Sequence, residues 1–454
     1  MKNINEGKMT FSTRKSNKLD NITNMEAPYT MSQALREASR CILCYDAPCS
    51  KSCPADTDPG TFIRKFRLQN TKGAIRTIKE NNILGGVCGV VCPTEKLCQE
   101  ACSATEIDTP IEIGKLQRFL VEHGWETGFI PLTRNPQRKE KIAIIGSGPA
   151  GLSCAAELGK TGFQVTVFEA RENAGGVLRY GVPEFRLNSE FLDREIVDIT
   201  NLGVNIKCNT RITSGGVNNL LETGFDAIFI ATGLWNAYKL NIPGSNLKNV
   251  FDAATFLEIV RGKNRSLISK LVKGNNVAII GGGSVAMDVA NSSKVLGANK
   301  VYCLCLESLK EIPAAKADLE MARDNFVIIK PQSQVTKISG NNGCVNGISG
   351  TETEWIQPNL LIPSNAKAVP GTEFNLKVDV VVMAIGSGPD SGTIDLCTTI
   401  GYKNNYLITT KKDGVSTADR NVYAGGDIVR GSALVVDAVA DGKKAALKII
   451  KQFS

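Results

Sequence analysis

The sequence is almost free of histidine: its 454 residues hold one, His123. A histidine-based triad, a His-rich metal site and a histidine general base are therefore not expected, since His123 would have to act alone. Its context, LQRFLVEHGWETG, reads as the end of a helix. No apolar run reaches the roughly 18 to 20 residues that a membrane span needs. The first thirty residues are rich in Lys, Asn, Ser and Thr. They lack the apolar core of roughly 7 to 15 residues found in a secretory signal, so residues 1–30 are expected to form a flexible tail. Nor is there a block of Lys and Arg. The net charge of +8 comes from 53 basic and 45 acidic residues spread along the chain. That describes a solvated surface, with no nucleic-acid or membrane partner. The expected setting is the cytoplasm, where thiols stay reduced.

Cysteine is what the chain does have, and in such a compartment fourteen of them point to metal or redox chemistry rather than disulfides. Eight fall between residues 41 and 102: Cys41, Cys44, Cys49, Cys53, Cys88, Cys92, Cys98 and Cys102. The other six read as small buried hydrophobes. Cys303 and Cys305 lie one residue apart in the strand pattern KVYCLCLE, not in a C-x-x-C at a helix start, so a disulfide reductase is not expected. Zinc sites close as compact C-x2-C pairs, and only Cys41 and Cys44 have that spacing. The series C-x2-C-x4-C-x3-C-P is nearer the ferredoxin run, in which a fourth cysteine followed by proline ligates the other cluster. Cys53-Pro54 and Cys92-Pro93 both fit that role. Two [4Fe–4S] clusters are expected, with zinc as the alternative.

The rest of the chain carries two dinucleotide signatures. In KIAIIGSGPAGLSCAAELGKTGFQVTVFEAR a strand over 141–145 runs into Gly146-Ser147-Gly148-Pro149-Ala150-Gly151, then a helix, then a second strand ending at Glu169. The glycines permit a tight turn and close approach of the backbone to a pyrophosphate, the helix N-terminus supplies amides, and Glu169 can accept from ribose hydroxyls. The second, NVAIIGGGSVAMDVANSSKVLGANKVYCLCLES, repeats the pattern with Gly281-Gly282-Gly283-Ser284-Val285-Ala286 and ends at Leu306-Glu307. Two nucleotide folds imply two nucleotides, and flavin with nicotinamide is the pair between which hydride can pass. FIATG, ending at Gly233, VVMAIGSGPD around Gly386, and VYAGGDIVRGSALVVDAVADGKKAALKII with Gly425-Gly426-Asp427 before a long helix each follow an apolar strand with a glycine turn.

From about Ala34 to its C-terminus the chain resembles the two-nucleotide flavoproteins of the glutamate synthase small-subunit group. Within that group it resembles the NAD-dependent, flavin-carrying subunits of bacterial dihydropyrimidine dehydrogenases. The motifs are CILCYDAPCSKSCP, ILGGVCGVVCPTEKLCQEAC, PIEIGKLQRF, GVPEFRL and YAGGDIV, and the long gap Cys92-x5-Cys98 matches the dihydropyrimidine group. The resemblance implies an α/β protein: an N-terminal helical iron–sulfur domain, then two Rossmann-like dinucleotide-binding domains, the NAD domain inserted in the FAD domain. The implied boundaries are 31–135 for the iron–sulfur domain, 139–244 and 371–454 for the two parts of the FAD domain, and 245–370 for the NAD domain. It implies one cluster on Cys41, Cys44, Cys49 and Cys102 and another on Cys53, Cys92, Cys98 and Gln117, leaving Cys88 free. FAD would meet residues Gly146 to Ala150, Glu169, Val177, Arg186 and Ile212. Gly426 and Asp427 would face its ribityl or phosphate region, and the helix starting at Leu434 and Val435 would point at its ring. NAD(H) would lie on Gly281 to Ala286, with Glu307 at its ribose and Ala384, Ile385 and Gly386 near the nicotinamide.

The chemistry this implies needs no acid–base residue: hydride passes from NADH to the flavin, and single electrons leave through the clusters. No stretch reads as an FMN barrel, so a catalytic FMN/iron–sulfur dihydropyrimidine dehydrogenase subunit is expected as partner in a hetero-oligomer reducing uracil or thymine. Glutamate synthase, or a ferredoxin:NAD(P) oxidoreductase reaction, is the alternative destination for the electrons. A redox sensor or zinc-stabilised interaction protein is the alternative of another class.

Overall fold

The computed structural model describes residues 25–397 and 399–454. Residues 1–24 of the expected tail lie outside the described residues. The last six residues of that stretch are docked: Asn188 N–H donates to Met25 Sδ at 3.1 Å, and the Tyr29 hydroxyl donates to Glu112. Thr30 then caps the first helix in a capping box with Gln33.

Helices Met31–Ser39, Pro48–Lys51, Pro59–Arg67, Thr71–Asn81, Gly85–Val91 and Ile113–Glu126 form the N-terminal domain. Asp58 and Asn70 cap two of them through Thr61 N–H and Gly73 N–H. Phe62, Phe66, Ile78, Leu116 and Leu120 close its core. Helices Gly85–Val91 and Ile113–Glu126 meet backbone to backbone, because a Cβ at Gly89 would stand 2.8 Å from Gly114 O and one at Gly114 2.9 Å from Gly89 O. That contact turns Cys88, Cys92 and Gln117 toward a common space.

The first nucleotide fold is a five-stranded parallel sheet in the order Val422–Ala424, Ala227–Ile230, Lys141–Ile145, Gln164–Phe168, Asn205–Lys207. The last strand of the chain thus pairs inside the first sheet, with Tyr423 opposite Phe229. Helix Val435–Phe453 lies on helix Pro149–Lys160 so closely that a Cβ at Gly442 would stand 2.2 Å from Ala150 O. The second fold is another parallel sheet, Val250–Asp252, Val380–Met383, Val277–Ile280, Val301–Leu304, Ile328–Lys330. The antiparallel strands Ser333–Asn341 and Cys344–Trp355 lie beside it. The chain enters and leaves this insertion through one antiparallel pair, Asn236–Ala237 with Ser387–Gly388. The expected boundary at 370/371 therefore moves to about 387. Phe374–Leu376 pairs with the antiparallel strand Cys344–Trp355, and Val380–Met383 is an inner strand of the second parallel sheet, so both belong to the insertion. Among the described residues no helix is long and apolar enough to cross a membrane.

One ion network fastens the helical domain to the first nucleotide fold. Lys79, 1% exposed, pairs with Glu195, 0% exposed, and with Asp198 at 2.7 Å, and donates to Ile83 O at 3.0 Å. Burial pushes the Glu195 carboxyl up against the pull of Lys79. Glu195 also accepts from Val87 N–H at 3.0 Å, and Asp198 accepts from Trp125 Nε1 at 3.0 Å. Removing one member of a buried pair strands the other, which costs about 3–5 kcal/mol. Glu195→Ala is expected to lower unfolding free energy by about that amount in denaturant titration, whereas Glu190→Ala, on an exposed pair, should stay within about 1 kcal/mol of the parent.

Candidate redox centre

The cysteine run 41–53 divides between two cavities. Cys41, Cys44, Cys49 and Cys102 line the first, with Ile63, Ile111 and Ile113 among the apolar groups around them, and all its walls come from the N-terminal domain. The loop bends tightly to present these thiols: Leu43 (φ +54°) and Ala47 (φ +39°) are left-handed without being glycine. Gly60 sits where a Cβ would strike the Ala47 Cβ at 2.5 Å. Cys53, Cys92, Cys98 and Gln117 line the second cavity together with Cys88, and Val436 of the C-terminal helix closes it. Thr57 N–H donates to Cys53 Sγ at 3.5 Å. Gln117 gives its amide N–H to Gly85 O, which leaves its carbonyl oxygen as the group free to face the cavity.

The placement of Cys88 was not foreseen. It is buried on the helix Gly85–Val91 one turn before Cys92, and the i, i+4 spacing that aligns them is visible in VCGVVCP.

Every described cysteine is a free thiol. Burial raises Cys41, and burial with Cys41 and Cys102 beside it pushes Cys49 up to about 11. Burial and Cys53 push Cys98 up to about 12, and a hydrogen bond that the Cys92 thiol gives to Cys88, with burial, raises Cys92. Crowded, desolvated thiols are poor anions, and metal coordination is what deprotonates them. No three described His, Cys, Asp or Glu side chains converge on one point as a lone ion requires. The thiols ring a space instead, an arrangement suited to a multi-iron cluster with its corners apart.

The first nucleotide loop has its three glycines for three reasons. Gly146 (φ +102°) lies against the neighbouring strand, where a Cβ would be 2.4 Å from Ala231 O, and a Cβ on Gly151 would be 2.0 Å from Gly146 O. Nothing stands within 4 Å of a Cβ on Gly148, so the space over the helix N-terminus at Pro149 and Ala150 is open to a phosphate. Glu169 is engaged by the loop itself, accepting from the Ser147 hydroxyl, from Ser147 N–H at 3.1 Å and from Arg171 N–H at 2.8 Å. Sequence reasoning passed over Gly176, which crosses this loop with its own Cβ position 2.7 Å from Gly148 Cα; the Gly175-Gly176 doublet before Val177 was the available signal. Val177 is exposed beside it, and Ile212 packs against the outer sheet face. Gly426 (φ +76°) opens the short helix holding Asp427, whose carboxyl burial raises to about 6. Leu434 and Val435 begin the C-terminal helix, one residue before the cavity-lining Val436.

The Arg186 guanidinium is turned across the domain boundary to Asp288 at 2.8 Å and Asp318 at 3.3 Å, drawn by two carboxylates in a buried setting.

The second loop repeats the first. Gly281 (φ +139°) has its Cβ position 2.2 Å from Ala384 O, and Gly283 is open above the helix that starts with Ser284 and Val285. Ala286 is fully buried in place of a third glycine. Glu307 Oε2 lies 3.1 Å from the Cβ position of Gly282, so the carboxylate hangs over the loop. Ile385 packs in the second domain's inner core, and Gly386 (φ +99°) accepts from Tyr238 N–H at the domain crossing.

Two dinucleotide loops and a thiol-rich helical domain define an iron–sulfur flavoprotein oxidoreductase using a nicotinamide nucleotide. Residues 18–129 match the family described as dihydropyrimidine dehydrogenase domain II, 4Fe-4S cluster, and residues 140–442 match pyridine nucleotide-disulphide oxidoreductase. The chain is 38% identical to the NAD-dependent dihydropyrimidine dehydrogenase subunit PreT of Escherichia coli (strain K12), over 95% of this chain and 96% of that one. It is 30% identical to the glutamate synthase [NADPH] small chain of the same organism, over 92% and 91%. In fold it resembles Mycobacterium tuberculosis FprA in complex with NADPH, with a TM-score of 0.57 and 17% identity over 70% of this chain and 85% of that one. The chain belongs to the PreT family of NAD-dependent dihydropyrimidine dehydrogenase subunits.

A carboxylate over the second loop repels a 2′-phosphate, and Lys310 is the nearest cation along the chain. kcat/KM for NADH is expected to exceed that for NADPH by at least about tenfold, about 1.4 kcal/mol. Glu307→Ala should narrow the ratio; equal values in the parent would contradict the assignment.

Proposed function

We propose that this chain is the NADH-oxidising electron-input subunit of a dihydropyrimidine dehydrogenase. FAD is assigned to the first nucleotide fold, NAD(H) to the second, and one [4Fe–4S] cluster to each thiol cavity. The ligands are Cys41, Cys44, Cys49 and Cys102 in one, and Cys53, Cys92, Cys98 and Gln117 in the other. When bound, FAD exchanges a hydride with NADH and single electrons with the clusters. The protein's own work is to hold these groups in line. Gly148 and Gly283 leave phosphates room, Gly85 O orients the Gln117 amide, and the apolar walls of the cavities leave the thiols at most partly exposed. The observation carrying this reading is Val436. The flavin-side helix begins in the wall of the second cavity, whereas the first cavity is walled by the N-terminal domain alone. The series runs from flavin to second cavity to first cavity to partner.

That partner is a catalytic FMN/iron–sulfur subunit reducing uracil or thymine to the 5,6-dihydropyrimidine, and the complex works in the cytoplasm, where the thiols stay reduced. The likeness to the glutamate synthase small chain supports a second reading, in which the same series feeds another acceptor.

Alone, the holoprotein should oxidise NADH with a dye acceptor and leave uracil untouched. Uracil reduction should require the partner and stop in an assembled Cys41→Ser complex whose first cluster is shown to be missing. Full uracil turnover in that complex would refute the series.

A further inference from the structure

The N-terminal domain also grips the second nucleotide fold. Between Cys92 and Cys98 the chain makes a single 3-10 turn, Thr94–Lys96, and Thr94 lines the second cavity. Lys96 Nζ donates to Pro313 O at 3.1 Å and Ala314 O at 3.4 Å. Glu95 Oε1 accepts from Lys316 N–H at 3.1 Å. The segment so held is the one that backs the second phosphate loop. Ala314 N–H donates to Gly282 O at 3.2 Å, and Ala315 N–H to Ser284 Oγ at 3.2 Å. An unbroken chain of hydrogen bonds thus joins the loop expected to carry the nicotinamide nucleotide to the turn between two thiols of the second cavity. The turn belongs to a domain that is itself fixed to the flavin fold by Lys79, Glu195 and Asp198.

We propose that Glu95 and Lys96 are positioning residues for hydride transfer. They hold the nicotinamide domain against the cluster-bearing turn, and through it at a fixed place relative to the flavin fold. Neither residue touches the nucleotide loop directly, so their effect falls on the approach of the bound nucleotide rather than on its affinity. Because the contact passes through Gly282 and Ser284, nucleotide binding is also felt at residues 92–98. The proposal rests on the second fold being the nicotinamide site.

The test is anaerobic stopped-flow reduction of the flavin by NADH in the holoprotein, with hydrogen–deuterium exchange read in parallel. Lys96→Ala should lower the limiting reduction rate at least threefold while the apparent Kd for NADH stays within twofold, and Lys96→Arg should restore most of the rate. ADP-ribose, which binds without delivering electrons, should protect the amides of residues 92–98 in the parent and fail to do so in Lys96→Ala. An unchanged limiting rate overturns the proposal, as does a loss confined to Kd, which would make Lys96 a binding residue. Absence of ADP-ribose protection in the parent overturns it too. A parent flavin that NADH does not reduce at all would sink the nicotinamide reading itself, and this proposal with it.

Discussion

The molecule depends on the buried ion network of Lys79, Glu195 and Asp198. A lysine taken wholly out of water stands only because two carboxylates and Ile83 O surround it. Those carboxylates come from the first nucleotide fold, while Lys79 comes from the helical domain. Glu195 does a second job, accepting from Val87 N–H, and a Cβ at Gly86 would stand only 2.6 Å from its Oε1. A carboxylate of the first nucleotide fold therefore seats the helix that carries Cys88 and leads into Cys92. Since Val436 closes the same cavity from the flavin side, the second cavity has its shape only while this network holds.

The thiols impose a complementary constraint. Apolar walls disfavour their ionisation, and each thiolate disfavours the next, as the upward shifts of Cys41, Cys49, Cys92 and Cys98 record. Burial is what an electron carrier needs, because it shields the cluster, yet the same burial makes bare ligands costly. Ligation resolves the conflict, so assembly of the helical domain and loading of its metal are coupled. Arg186 and the Glu95–Lys96 turn then tie the second nucleotide fold to both other domains.

The nucleotide loops were legible in the sequence because their demands are local. Gly146 and Gly281 each face a carbonyl of the neighbouring strand where no Cβ fits, and the strand, glycine and helix signals follow one another directly. The eight clustered cysteines were equally plain, and Cys53-Pro54 pointed to a split within residues 41–53, but the places of Cys102 and Gln117 entered through resemblance, since spacing alone does not pair the two halves. What escaped depends on long-range pairing. Val380–Met383 has the same look as an outer strand of the first fold, and only its pairing with Val277–Ile280 assigns it to the second. The ion pairs of Arg186 and Lys79 join residues about a hundred positions apart. Cys88 was readable as one turn from Cys92, but only the Gly89–Gly114 contact shows which space it faces.

The central claim is that two separate thiol cavities hold two clusters. It is tested most directly by iron and acid-labile sulfide per chain after anaerobic reconstitution, in the parent and in Cys44→Ser, Cys98→Ser and Cys88→Ser. The account predicts about eight irons in the parent, about four when Cys44 or Cys98 is changed, and about eight when Cys88 is changed. About four irons in the parent, or loss of all iron from both single-cavity variants, would contradict it.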